Sequence, residues 1–213
     1  MEELDKLKKD WNRSQDNYPK FSEREIYAML HKGSSSVVKW ILIISILEFV
    51  FWLGLSFLLK DSPNVKRVEG SLVDYITVPM SLISYGIIIY FFCIFYMNYR
   101  KITTTDNVKT LMANILRTRK AVSNYIFVNI AYIIVSSIII FFIFFKYDKG
   151  LLDTLHQSEA SGQQVAFYLT YIIFTLLSIG ILILIIWLFY KLIYGLLLRK
   201  LHRNYEELKK IDF

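Results

Sequence analysis

A chain of 213 residues that is 55% hydrophobic and 16% aromatic, with mean hydropathy +0.41, is too apolar for an ordinary soluble domain. Its net charge of +7 is unevenly distributed, and its one cysteine, Cys93, excludes an intramolecular disulfide or a cysteine metal cluster. These features predict an all-α integral membrane protein with four transmembrane helices.

Residues 1–36 predict a cytoplasmic amphipathic arm of two short helices, with seven acidic and seven basic residues. Leu4, Leu7 and Trp11 recur at helical spacing and form one apolar edge among the charges. Asn17, Tyr18 and Pro19 break that pattern. Ser22 with Glu25 then reads as a capping box for a second helix bearing Ile26, Met29 and Leu30, closed by Gly33 and followed by a polar joint at Ser34, Ser35 and Ser36. No cleavable signal peptide is expected, because the charges alternate instead of preceding a short apolar core.

The first span, 37–59, is an apolar run of 23 residues with Glu48 almost at its centre. As a helix it reaches roughly 35 Å, enough to cross a hydrocarbon layer of roughly 30 Å. The second span, 72–97, holds Pro79 near its outer end and continues as a cytoplasmic helix to about residue 102. Asp106 is expected to cap a further cytoplasmic helix, 106–121, whose stripe of Val108, Leu111, Met112, Ile115 and Leu116 runs into the third span, 122–145. The fourth span, 165–190, continues into a cytoplasmic helical tail, 191–213.

Lysines and arginines alternate in density along the chain. The segment up to Trp40, which includes Lys39 just inside the first span, the segment between the second and third spans and the one after the fourth hold 20 of them; the other two connections hold five. The positive-inside rule therefore predicts both termini in the cytoplasm, with the cytoplasmic helical extensions and the arm on that side.

A carboxylate in hydrocarbon is costly, so Glu48 predicts a buried polar site. Ser45 and Trp52 share its helical face, and counting depth along each span brings Ser84, Tyr132, Ser136 and Ser178 to its level. Glu48 is expected inside the bundle and neutral, with no basic residue at its depth; Lys39 lies about two turns closer to the cytoplasm. Catalytic and cofactor arrangements are absent from the pattern: His31, His156 and His202 do not converge, and no phosphate loop or nucleophile elbow occurs. Arg117, Arg119, Lys120, Arg199, Lys200 and Arg203 read as contacts for anionic lipid headgroups, with ribosome or RNA binding a lesser possibility.

The runs LDKLKKDWN, FSEREIYAMLHK and SSSVVKWILIISILEFVFW resemble a family of small uncharacterised four-span bacterial inner-membrane proteins. The resemblance covers roughly the first quarter of the chain and implies a multi-pass protein of the bacterial inner membrane. Some members occur alongside sigma factors, which implies regulation across the membrane. Members sometimes carry the label carotenoid monooxygenase. The residues do not support it, because three scattered histidines satisfy neither a four-histidine iron centre nor a histidine-rich di-iron site.

The sequence therefore predicts a non-enzymatic accessory subunit, scaffold or membrane-anchored regulator. It would dock a protein partner in a membrane complex through its cytoplasmic helices, the arm residues Leu4, Leu7, Trp11, Ile26, Met29 and Leu30 among them. The competing expectation is a small proton- or ion-coupled transporter or channel using Glu48.

Overall fold

The computed structural model describes residues 22–60, 62–63, 71–105 and 107–211, and among these every regular element is an α-helix. In chain order they are α1 (Glu23–Leu59), α2 (Ser71–Thr103), α3 (Val108–Tyr147), α4 (Lys149–Ala160) and α5 (Gln164–Ile211). Helices α1, α2, α3 and α5 are each long and apolar enough to cross a membrane. They hold 37, 33, 40 and 48 residues, or about 50 to 72 Å of helix, so each exceeds a hydrocarbon layer by several turns.

The four long helices pack in a ring, each antiparallel to its neighbours. Tyr27 with Thr105 and Phe49 with Tyr85 set the register of α1 on α2. Asn114 with Lys101 and Tyr132 with Met80 set that of α2 on α3. Arg119 with His202 and Phe141 with Tyr171 do the same for α3 and α5, and Ser34 with Asn204 closes the ring between α5 and α1.

Helix starts follow local chemistry. At α1 the Ser22 side chain accepts from the Glu25 N–H at 3.3 Å, while the Glu25 carboxylate accepts from the Ser22 N–H at 2.8 Å, a complete capping box. At α3 the N-cap is Asn107, whose side chain accepts from the Lys109 N–H at 2.9 Å, one residue after the expected Asp106. Asp148 ends α3 and begins α4, taking the Leu151 N–H at 2.9 Å. Gly162, at φ 69, makes the left-handed turn that separates α4 from α5.

One expectation fails here. Gly33 does not cap a short helix and Ser34–Ser36 is no joint, because α1 runs unbroken through both. The small residues serve close packing instead. A Cβ on Gly33 would come within 3.2 Å of Asn204 Nδ2, and the Ser34 hydroxyl, fully buried, accepts from that same amide at 3.1 Å. The first arm helix, with Leu4, Leu7 and Trp11, lies outside the described residues.

Burial is concentrated at the end of the ring where α1 begins and α5 finishes. Val37, Val38 and Ile41 of α1 form one core with Phe91, Phe95 and Ile102 of α2, Leu111, Ile115 and Val122 of α3, and Leu201 and Leu208 of α5. Burying each such side chain contributes about 1.5–3 kcal/mol, so this end is a closed bundle in its own right. The other end differs: a small cluster around Val73 and Ile143 is buried, while Phe57, Phe174 and Leu176 are widely exposed. Apolar faces uncovered on that scale suit a lipid surrounding.

Candidate functional site

The two regimes meet at Glu48. It is the last buried residue of α1, Tyr190 is the first of α5, and on α3 only Ile143 is buried beyond Tyr125. All three converge on one carboxyl group. Tyr125 Oη donates to Glu48 Oε2 at 2.7 Å, Tyr190 Oη donates to Oε1, and Tyr194 Oη lies 3.5 Å from Oε2. Trp52, half-buried, lies one turn further along α1 on the same face. Around this acid stand Phe91 and Phe95, edge-on to the Tyr125 ring at 5.2 and 5.5 Å.

Chemically the cluster is a buried acid with its oxygens satisfied. A carboxylate would accept from the phenols; a neutral carboxyl would donate one bond in return, and the set would still close. The arrangement ties α1, α3 and α5 at one level. It is also shut off from the basic end, because Val37, Val38, Ile41, Phe95, Val122 and Leu201 fill the bundle between Glu48 and the polar residues beyond.

Those residues form a second polar layer. Ser34 of α1, Asn98 of α2, Thr118 of α3 and Asn204 of α5 are all buried. Ser34 lies 14 residues before Glu48, about 21 Å along α1. The layer is bonded unevenly: Asn204 reaches Ser34, Thr118 turns to the Asn114 carbonyl at 2.9 Å, and Asn98 Nδ2 finds no partner among the described residues. Nearby, side chains of α1 and α3 bond the last turn of α2 and the Thr105 segment that follows it. His31 Nε2 meets the Ile102 carbonyl at 2.7 Å, Tyr27 Oη donates to that of Thr105 at 3.2 Å, and Asn114 Nδ2 donates to the Thr105 hydroxyl at 3.2 Å.

The predicted polar cluster is only partly the observed one. Glu48 is buried as expected, Ser45 is buried with its hydroxyl on the Leu42 carbonyl, and Trp52 is half-buried. Ser84, Tyr132, Ser136 and Ser178 are not its bonding partners. Tyr132 donates to the Met80 carbonyl at 2.5 Å, Ser136 and Ser178 bond within their own helices, and Ser84 is half-buried on α2. Depth counted from the expected cytoplasmic end of each span misjudges how far the helices slide past one another: Tyr190, bonded to Glu48, lies 12 residues beyond Ser178, about 18 Å along α5. Tyr125, Tyr190 and Tyr194 were therefore missed, although the i, i+4 pair on α5 offered two hydroxyls on one face.

A second correction concerns charge. Lys191, adjacent in sequence to Tyr190, does stand at the depth of Glu48, but on the exposed face of α5 with its Nζ 4.4 Å from the Trp187 ring centre. The other bases, Arg117, Lys120, Arg199, Lys200 and Arg203, are exposed, and half-buried Arg119 bonds His202 Nδ1 at 3.0 Å. Of the arm residues described, Leu30 packs on the core, Ile26 is half-buried and Met29 is exposed. Among the described residues no three of His, Cys, Asp and Glu are grouped to hold a metal ion.

A family model for a domain of unknown function, DUF8845, matches residues 24–213. The chain belongs to that family. The match takes in all four long helices and nearly all of the described chain, so both polar layers are features within the DUF8845 domain. No curated protein and no solved structure matches the chain.

Proposed function

We propose that this DUF8845 protein is a non-enzymatic multi-pass protein of the bacterial inner membrane, with both termini cytoplasmic, acting as an accessory subunit or membrane-anchored regulator. Its closed bundle projects from the bilayer and presents a firm surface to a partner protein. One observation supports this reading above the others: all four long helices continue past membrane-spanning length into a shared core. Such an extension is costly to order unless the projecting part is used. Its outer face carries Arg199, Lys200 and Arg203 on α5 with Arg117 and Lys120 on α3, a basic surface suited to an acidic partner.

The test is affinity purification from native membranes in mild detergent. A stoichiometric partner, lost when Arg199, Lys200 and Arg203 are changed to Glu or when Leu4, Leu7 and Trp11 are changed to Ser, is the expected result. Absence of any such partner would count decisively against the proposal. Glu48 carries the second reading, a proton- or ion-coupled transporter. The apolar filling between the two polar layers disfavours it, and an unchanged flux in Glu48→Gln proteoliposomes would remove it.

A further inference from the structure

Lys191 is the one charge on a long uncovered face of α5. Lys191, Trp187, Leu184, Gly180, Leu177 and Ile173 recur every three or four residues and so share one side of the helix. That side is bare: Leu184 is 61% exposed, Leu177 58% and Ile173 57%. A Cβ built on Gly180 would meet nothing within 4 Å, and the residues flanking it form a shallow apolar groove. At the head of the face, the Lys191 ammonium rests on the Trp187 ring. None of the ion pairs among the described residues involves Lys191.

Distance and charge together identify what fits. From Lys191 to Gly180 is 11 residues, about 16 Å of helix, against about 15 Å for one leaflet's half of the hydrocarbon. A cation at one end and an apolar groove one leaflet deep match a phospholipid with a negative headgroup. A second copy of this chain fits poorly, since a two-fold contact centred on this face would set Lys191 against Lys191. We propose that this face of α5 is a binding site for an anionic phospholipid of the leaflet on the basic side. The phosphate pairs with Lys191 on Trp187, and one acyl chain lies along Leu184 toward Gly180. The site is distinct from the arginines and lysines of the projecting bundle, of which Arg199 lies about 12 Å further along α5.

The inference rests on the membrane placement proposed above, and the experiment separates the two. Trp187 is made the sole tryptophan by changing Trp11, Trp40 and Trp52 to Phe, and the full chain is reconstituted in phosphatidylcholine vesicles. Quenching of Trp187 by chain-brominated phosphatidylglycerol is compared with that by brominated phosphatidylcholine. The expected result is an apparent affinity about fivefold higher for phosphatidylglycerol, lost in Lys191→Gln and unchanged in Arg199→Gln. Equal quenching by both lipids overturns the site and leaves the membrane placement standing; no quenching by either overturns both. Should the triple substitution fail to fold, native mass spectrometry of the unaltered protein and Lys191→Gln gives the same decision. Phosphatidylglycerol must be retained by the first and lost from the second, and equal retention refutes the site.

Discussion

Tyr125 of α3 and Glu48 of α1 face each other across the diagonal of the ring, joined by a bond of 2.7 Å although their helices are not ring neighbours. With Tyr190 on the same carboxyl group, that bond makes the Glu48 layer a cross-brace at the level where the shared core ends.

Removing the brace has graded consequences. Glu48→Ala strands buried phenol hydroxyls and is expected to lower unfolding free energy by about 3 kcal/mol or more, while Tyr125→Phe costs about 1–2 kcal/mol. Thermal unfolding in detergent followed by circular dichroism measures both. Equal midpoints for Glu48→Ala and the parent protein would mean that the layer ties nothing.

The second polar layer makes an asymmetric prediction. Asn98 Nδ2 is buried without a partner among the described residues, whereas Asn204 bonds Ser34. Asn98→Leu is expected to be neutral or to stabilise by about 1 kcal/mol, and Asn204→Leu to destabilise by about 1–3 kcal/mol. Unfolding midpoints measured side by side decide it, and the reverse order would refute the assignment.

His31 and Tyr27 act on a helix other than their own. By occupying the Ile102 carbonyl in the last turn of α2 and the Thr105 carbonyl just past it, they fix the turn leading to α3. His31→Ala is expected to cost about 1 kcal/mol and to speed backbone hydrogen exchange around residues 101–105, with exchange in α5 unaltered. Uniform acceleration across all helices would point to general loosening instead.

The start of α1 should respond to acid. Bonds from the Ser22 N–H and hydroxyl hold the exposed Glu25 carboxyl below its ordinary range. A folded value below the unfolded one stabilises fully above the unfolded value and is lost as pH falls through the folded value. NMR of the first turn of α1 should show fraying on acidification that Glu25→Gln, already without the charge, does not show. An identical pH response in the variant would exclude the carboxylate as its source.

Long apolar runs with basic segments between them made four helices long and apolar enough to span a membrane readable in the sequence, because spacing of 3.6 residues and charge density are local properties. The buried acid was readable for the same reason. Its partners were not, since they depend on how far antiparallel helices slide past one another. Gly33 and Ser34 illustrate the converse error: taken locally they end a helix, yet Asn204, 170 residues later for Ser34, gives them their role in packing.

That separation in sequence sets a clock on synthesis. Tyr190 follows Glu48 by 142 residues, so at about 5–20 residues per second the acid waits about 7–28 s for its last partners to leave the ribosome. Tyr125 follows after 77 residues, so for the rest of that interval the acid has Tyr125 without its partners on α5. A chain truncated before α5 stays at that stage, its buried acid lacking Tyr190 and Tyr194.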